Sequence, residues 1–272
     1  QEVEMARRKH KLRKRTLRSA ATLLVLLLTA AALRVGAGMA GIAVQQESVG
    51  AVPESSEAIG VIVPPPGESE FPVLSAAGSY TGQAAVDINR GIPNFTAEER
   101  ELGRARAKEG YESYAALDAL GRCGSAFAVL TKETMPTEPR GSIGMVRPSG
   151  WHTVRYDDLI DGKFLYNRCH LIAYMLSGEN ANPNNLITGT RYLNVEGMLP
   201  YEKQVGDFIQ NGGGAVLYRA TPVFSGDELV ARGVELEAES LEKGGIRFHV
   251  FLYNVQPGIV IDYATGESRR ED

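Results

Sequence analysis

Two cysteines in 272 residues exclude a small scaffold held together by disulfides. No segment repeats along the chain, which excludes a solenoid or propeller. Positive charge is scarce beyond the first 44 residues. Those 44 hold nine Lys/Arg and two acids, a net +7; the whole chain carries −4, so residues 45–272 carry −11. A body of that sign lacks the broad basic footprint of an avid nucleic-acid reader, and leaves room only for a local basic patch. Apolar residues make up 43% of the chain, enough for a core of ordinary size.

The long apolar run is also short for its type. SAATLLVLLLTAAAL spans Ser19–Leu33 behind a basic run ending at Arg18, and Arg34 interrupts it before VGAGMAGIAV. Fifteen helical residues reach roughly 22 Å, against a hydrocarbon core of ~30 Å. The length suits a signal peptide, while snorkelling of Arg34 would make the stretch a signal anchor. Residues 1–44 are therefore an export element, and basic residues ahead of the apolar run direct the body outside the cytoplasm. Residues 45–79, with VIVPPPGESEFP, form a Pro/Gly/Ser/Glu-rich linker, extended where prolines follow one another. The folded domain is assigned to 80–272. In an exported body Cys123 and Cys169 form either one disulfide or two separate buried thiols.

Within the domain, Thr96 followed by Glu99 is a capping box, and 96–120 is expected to form one or two helices. Residues 122–133 and 165–176 carry core strands, with a breaker-rich loop at 136–151 between them. LITGTRYLNVEGM (186–198) is a strand end and a helix start, and a helix follows from Pro200 to the glycines at 212–214. From Ala215 four strands alternate as a meander. The order implies an α+β domain with a central antiparallel sheet and flanking helices.

Residues 166–194, YNRCHLIAYMLSGENANPNNLITGTRYLN, hold six asparagines, one histidine and a single carboxylate, Glu179. Asparagines form turns, and Asn182 and Asn184 need no other explanation. Arg168 and His170, two apart on a strand, share a face. A guanidinium beside an imidazole disfavours its protonation, so His170 is expected to titrate low and to be available as a general base. Asn194 offers a neutral, hard oxygen of the kind a hydrated Mg²⁺ accepts. Glu202 lies eight residues on and reaches the same place if Pro200 kinks the helix rather than ending it.

N-R-C-H at 167–170, N-L-I-T at 185–188, Asn194 and Glu202 together resemble the DNA/RNA non-specific endonucleases, which are ββα-metal (His-Me finger) nucleases. The resemblance covers roughly residues 120–265. The family's usual tetrapeptide is Asp-Arg-Gly-His; here Asn167 removes the charge and Cys169 adds bulk. The resemblance implies His170 as the base that activates water and Asn194 as the metal ligand. It implies Arg168 on the phosphate, Glu202 on the metal's water shell, and Asn185 as an orienting residue. Arg147, ahead of Arg140, is favoured as a second phosphate contact. The implied cofactor is Mg²⁺, with Mn²⁺ as substitute. The implied substrate is DNA, with RNA as a further one, cut without sequence preference because backbone contacts carry no base information.

Two other functions fit the acidic body. One is a cell-surface nucleic-acid-binding module with weakened chemistry; the other is a phosphodiesterase for a small phosphorylated substrate. His152 and His249 are expected to be structural, and His10 belongs to the basic run.

Overall fold

The computed structural model describes residues 70–272. Residues 1–69, with the expected export element and most of the expected linker, lie outside the described residues. Among the described residues no helix is long and apolar enough to cross a membrane.

A six-stranded, wholly antiparallel sheet forms the centre. Its strands are β1 (Ala85–Asp87), β2 (Tyr111–Tyr114), β3 (Ala126–Leu130), β6 (Val216–Val223), β7 (Gly233–Ser240) and β8 (Arg247–Tyr253). The spatial order is β1-β8-β7-β6-β3-β2. Side chains alternate between its faces. Ala126, Ala128 and Leu130 join Tyr218, Leu236 and Val250 on the inner face, in the main core. Phe127, Val129 and Leu217 point outward and are covered by Phe95 and Leu102 of the segment that carries helix α2 (Ala97–Arg106). The capping box at Thr96 and Glu99 forms in both directions and starts that helix.

Two hairpins stand apart from the sheet. One joins β4 (Tyr166–His170) to β5 (Leu186–Thr190), with helix α3 (Tyr174–Ser177) in the connection. Cys169 and Ile187 press this hairpin onto the inner core, together with Val205 and Ile209 of helix α4 (Leu199–Gln210). The other joins β9 (Ile259–Ile261) to β10 (Ser268–Arg270). The meander of four therefore has three members in the sheet. The chain leaves it after Tyr253, where buried Asn254 accepts from Thr190 N and donates to the Thr188 and Ala231 carbonyls.

Three further features have local causes. The stretch 111–120 is not helical: Gly110, at φ +79°, closes the turn after α2 by donating to the Arg106 carbonyl, and Tyr111–Tyr114 join the sheet edge as β2. Ahead of Tyr80, helix α1 (Glu70–Ala77) packs Val73, Leu74 and Ala77 on Phe251 and Tyr253. The two cysteines are separate buried thiols. Burial pushes the Cys123 thiol up to about 12, and Cys169 is raised further.

The outer face carries a charged network. Arg219 bridges Glu99 and Glu237, both at 2.7 Å, and Arg100 pairs with Glu239. His249 is fully buried there. Its Nε2 donates to Glu235 at 2.7 Å and its Nδ1 to the Ile92 carbonyl at 3.0 Å. Both partners are acceptors, so the ring is an imidazolium. Burial opposes that charge, but the Glu235 bond, the Glu237 charge and the Ile92 carbonyl outweigh it and raise the pKa. The raised value means stability is present below the unfolded value of about 6.5 and is lost as pH rises through the folded one. Melting temperature should therefore fall through that window. His249→Gln should remove the slope and cost roughly 1–3 kcal/mol.

Candidate active site

The β4–β5 hairpin and the helix after it build the site. In β4 the period of two turns Cys169 into the core and leaves Arg168 and His170 on the opposite face. His170 is 7% exposed. Its Nε2 donates to the Asn180 carbonyl at 2.8 Å, since a carbonyl can only accept. Nδ1 therefore holds the lone pair, and it faces the Arg140 guanidinium at 3.3 Å. Burial first, then the Arg140 charge, brings the ring down to about 4 against the Asn180 bond. The low value expected from sequence is present, but the arginine responsible is Arg140, not Arg168.

Arg168 is engaged elsewhere. It donates to the Val146 carbonyl at 2.5 Å and the Gly144 carbonyl at 2.9 Å, and its guanidinium stacks on Trp151 at 4.0 Å. It thereby fastens the 136–151 loop to β4. Asn185 is 0% exposed, and its side chain grips one residue twice, accepting from Ile172 N at 2.8 Å and donating to Ile172 O at 3.0 Å. This clamp holds the chain just past His170. Asn185→Ala strands a buried N–H and a buried carbonyl and should cost roughly 2–4 kcal/mol in urea unfolding.

After β5 the backbone enters a π-helical turn, Leu193–Met198, and runs directly into α4. Leu199 N–H bonds the Asn194 carbonyl, and Pro200 sits in the first turn of α4 without breaking the helix. A π-helix takes roughly 4.4 residues per turn against about 3.6 in an α-helix. Eight residues across the junction then make close to two turns, so Asn194 and Glu202 fall on one side. Glu202 is buried and has no hydrogen-bond or ion-pair partner among the described residues. Burial pushes its carboxyl up to about 8 in spite of the Arg140 charge.

A cavity of about 440 Å³ lies beside these residues, lined by Arg140, Arg168, Arg191, Asn167, Asn194 and Trp151 among others, with no carboxylate; His170, Asn185 and Glu202 are not in its lining. Arg147 is not part of this lining; it stands near enough to Arg168 to add like-charge repulsion to the effect of burial. Of the two loop arginines, Arg140 is the one that lines the cavity. Among the described residues, the amide nitrogen of Asn167 and the indole nitrogen of Trp151 are buried donors without partners.

Residues 103–242 match the family described as DNA/RNA non-specific endonuclease. The chain belongs to that family. The endonuclease also resembles solved nucleases. NucA from Streptococcus agalactiae, with magnesium ion bound, is 26% identical over 73% of this chain and 93% of its own, with a TM-score of 0.61. The same protein without metal gives 26%, 71%, 89% and 0.60. Sda1 nuclease with bound zinc ion is 30% identical over 59% of this chain and 81% of its own, with a TM-score of 0.51. These neighbours share the mixed architecture with a central antiparallel sheet.

A second group of ligand-type atoms in the endonuclease, on Glu235, Glu237 and His249, lies within 4.8 Å of one another. His249 commits both nitrogens to acceptors there, which leaves no lone pair for a metal. Sequence reasoning missed three parts of the site. The Asn180 carbonyl is backbone and has no residue signature. Trp151 and Arg191 sit on connections whose spacing to His170 follows no local period. Arg191, three residues before Asn194, is the one that proximity in sequence makes findable.

Proposed function

We propose that the endonuclease is a metal-dependent, sequence-non-specific hydrolase of phosphodiester bonds in DNA, and also in RNA. It acts outside the cytoplasm, tethered by its N-terminal segment or secreted after that segment is removed. The observation that carries this is the His170 geometry: an imidazole kept neutral by burial, with one nitrogen committed to Asn180 and the other directed at a cationic loop. Such a ring accepts a proton from water at Nδ1. Arg140 first moves its donor from Nδ1 to a phosphate oxygen, where charge develops, and this frees the Nδ1 lone pair for that proton.

The donor set fits a hydrated Mg²⁺, with Mn²⁺ as substitute. Asn194 lines the cavity and carries one neutral oxygen, and Glu202 is a carboxyl pushed up to about 8 by burial, which a dication beside it would bring down. Asn194 would hold the ion directly and Glu202 through its water. The ion supplies charge neutralisation at the phosphate and the leaving oxygen.

The net −11 of the body does not oppose a polyanion at this face. Glu99, Glu237 and Glu239 lie on the outer face of the sheet, in ion pairs, while the cavity presents three arginines. Supercoiled plasmid incubated with Mg²⁺, with and without EDTA, tests the activity. Nicking that EDTA abolishes is expected; plasmid left intact with every divalent cation rejects it.

A further inference from the structure

Arg140 and Asn194 line the cavity, and His170 stands behind Arg140, whose guanidinium lies 3.3 Å from its Nδ1. Two further lining residues, Phe164 and Arg191, have no part in that chemistry. Phe164 is 45% exposed and is the only aromatic among the exposed large apolar side chains of the described residues. It lines the cavity. Arg155, tied to Asp157 by two hydrogen bonds, covers the ring at 5.3 Å and is not a cavity residue, so the other side of the ring faces the cavity. Phe164 is held outward by a three-residue turn: its N–H bonds the Gly162 carbonyl at 2.9 Å across Lys163, at φ +71°. A side chain in that backbone region is strained, so the turn is held by its surroundings.

Arg191 stands beside this turn. Its main-chain N–H donates to Leu165 at 2.7 Å. Its guanidinium lies over Gly162, where an added Cβ would meet Cζ and Nε at 3.7 Å. The acid nearest it is Asp161, at 4.0 Å and fully exposed, a weak solvated pair. An open aromatic face and a lightly held guanidinium thus flank one turn, in a cavity without carboxylates.

We propose that Phe164 and Arg191 form a nucleotide subsite for single-stranded nucleic acid, next to the bond that is cut. The inference rests on the hydrolase function above and names how its substrate is held. The base stacks on Phe164 and the phosphate of that nucleotide meets Arg191. Stacking on an aromatic ring is open to every base, so the subsite adds no sequence preference. It does discriminate by strandedness, because a base in a duplex must first leave its own stack. DNA and RNA single strands offer the same base face and phosphate.

The test compares kcat/KM on a single-stranded oligonucleotide, its duplex and bis(4-nitrophenyl) phosphate, which has no neighbouring nucleotide. Full-length Phe164→Ala should lower the ratio of single-strand to small-diester kcat/KM about tenfold, and Phe164→Tyr should restore it. Arg191→Gln should lower the same ratio and reduce the salt slope of oligonucleotide binding by about one. Oligodeoxynucleotide and oligoribonucleotide should respond alike. Unchanged ratios in both Phe164→Ala and Arg191→Gln overturn the subsite, whatever the activity. The hydrolase function fails separately, if wild-type protein cleaves no diester. In that case, anisotropy of a labelled oligonucleotide on His170→Ala still decides the subsite: weaker binding on adding Phe164→Ala supports it, and equal binding overturns it.

Discussion

His170→Ala lowers kcat/KM on plasmid by roughly 10²- to 10⁴-fold, the usual contribution of a positioned base. The fold should survive, since among the described residues the ring bonds only the Asn180 carbonyl and Arg140, and Asn185 holds the adjacent backbone independently. Thermal melting checks that second half; residual cleavage within a few-fold of wild type removes the base assignment. The pH profile follows from the site. Burial and then Arg140 bring His170 to about 4, so the free base is present throughout the neutral range. The acid limb of kcat/KM should fall near pH 4, with activity lost as pH drops through it. The same depression means that stability contributed by His170 is full above about pH 6.5 and declines toward pH 4.

Asn194→Ala should reduce activity at fixed Mg²⁺ by about 100-fold or more, since outer-shell partners alone cost 10–100-fold. Cleavage measured against Mg²⁺ concentration reads this as a raised half-saturation with partial rescue at high metal. A curve that superimposes on wild type sinks the ligand assignment. Glu202 adds a pH signature. Its carboxyl, pushed up to about 8 by burial, holds a proton at neutral pH without a cation. The fold therefore loses stability as pH rises from the ordinary carboxylate range through 8, and a dication offsets the loss. Mg²⁺ should raise the melting temperature more at pH 8.5 than at pH 6, and Glu202→Gln should abolish that difference.

What was legible and what was not divide along physical lines. The capping box at Thr96, the strands at 126–130 and 166–170, and the helix beyond Pro200 follow from neighbours in sequence, because backbone periodicity and caps are local. The strand Tyr111–Tyr114 was obscured by the helical composition before it, although Gly110 marks the break. The departure of Ile259–Ile261 from the meander depends on Asn254, which reaches back to Thr188 and Thr190 in the site hairpin. No pattern within 254–261 contains that partner.

The chain by itself determined the α+β order, the shared face of Arg168 and His170, and the residue types for phosphodiester chemistry. Tertiary structure alone decided which cation meets which group. Arg140 reaches His170 across thirty positions, while Arg168 is drawn off to the loop and Trp151. It also decided that Glu202 is buried, with no partner among the described residues, and that Phe164 and Arg191 stand at one turn. The reason is that charge, burial and stacking act through space and fall off over a few ångströms, and those distances exist only once remote segments have packed.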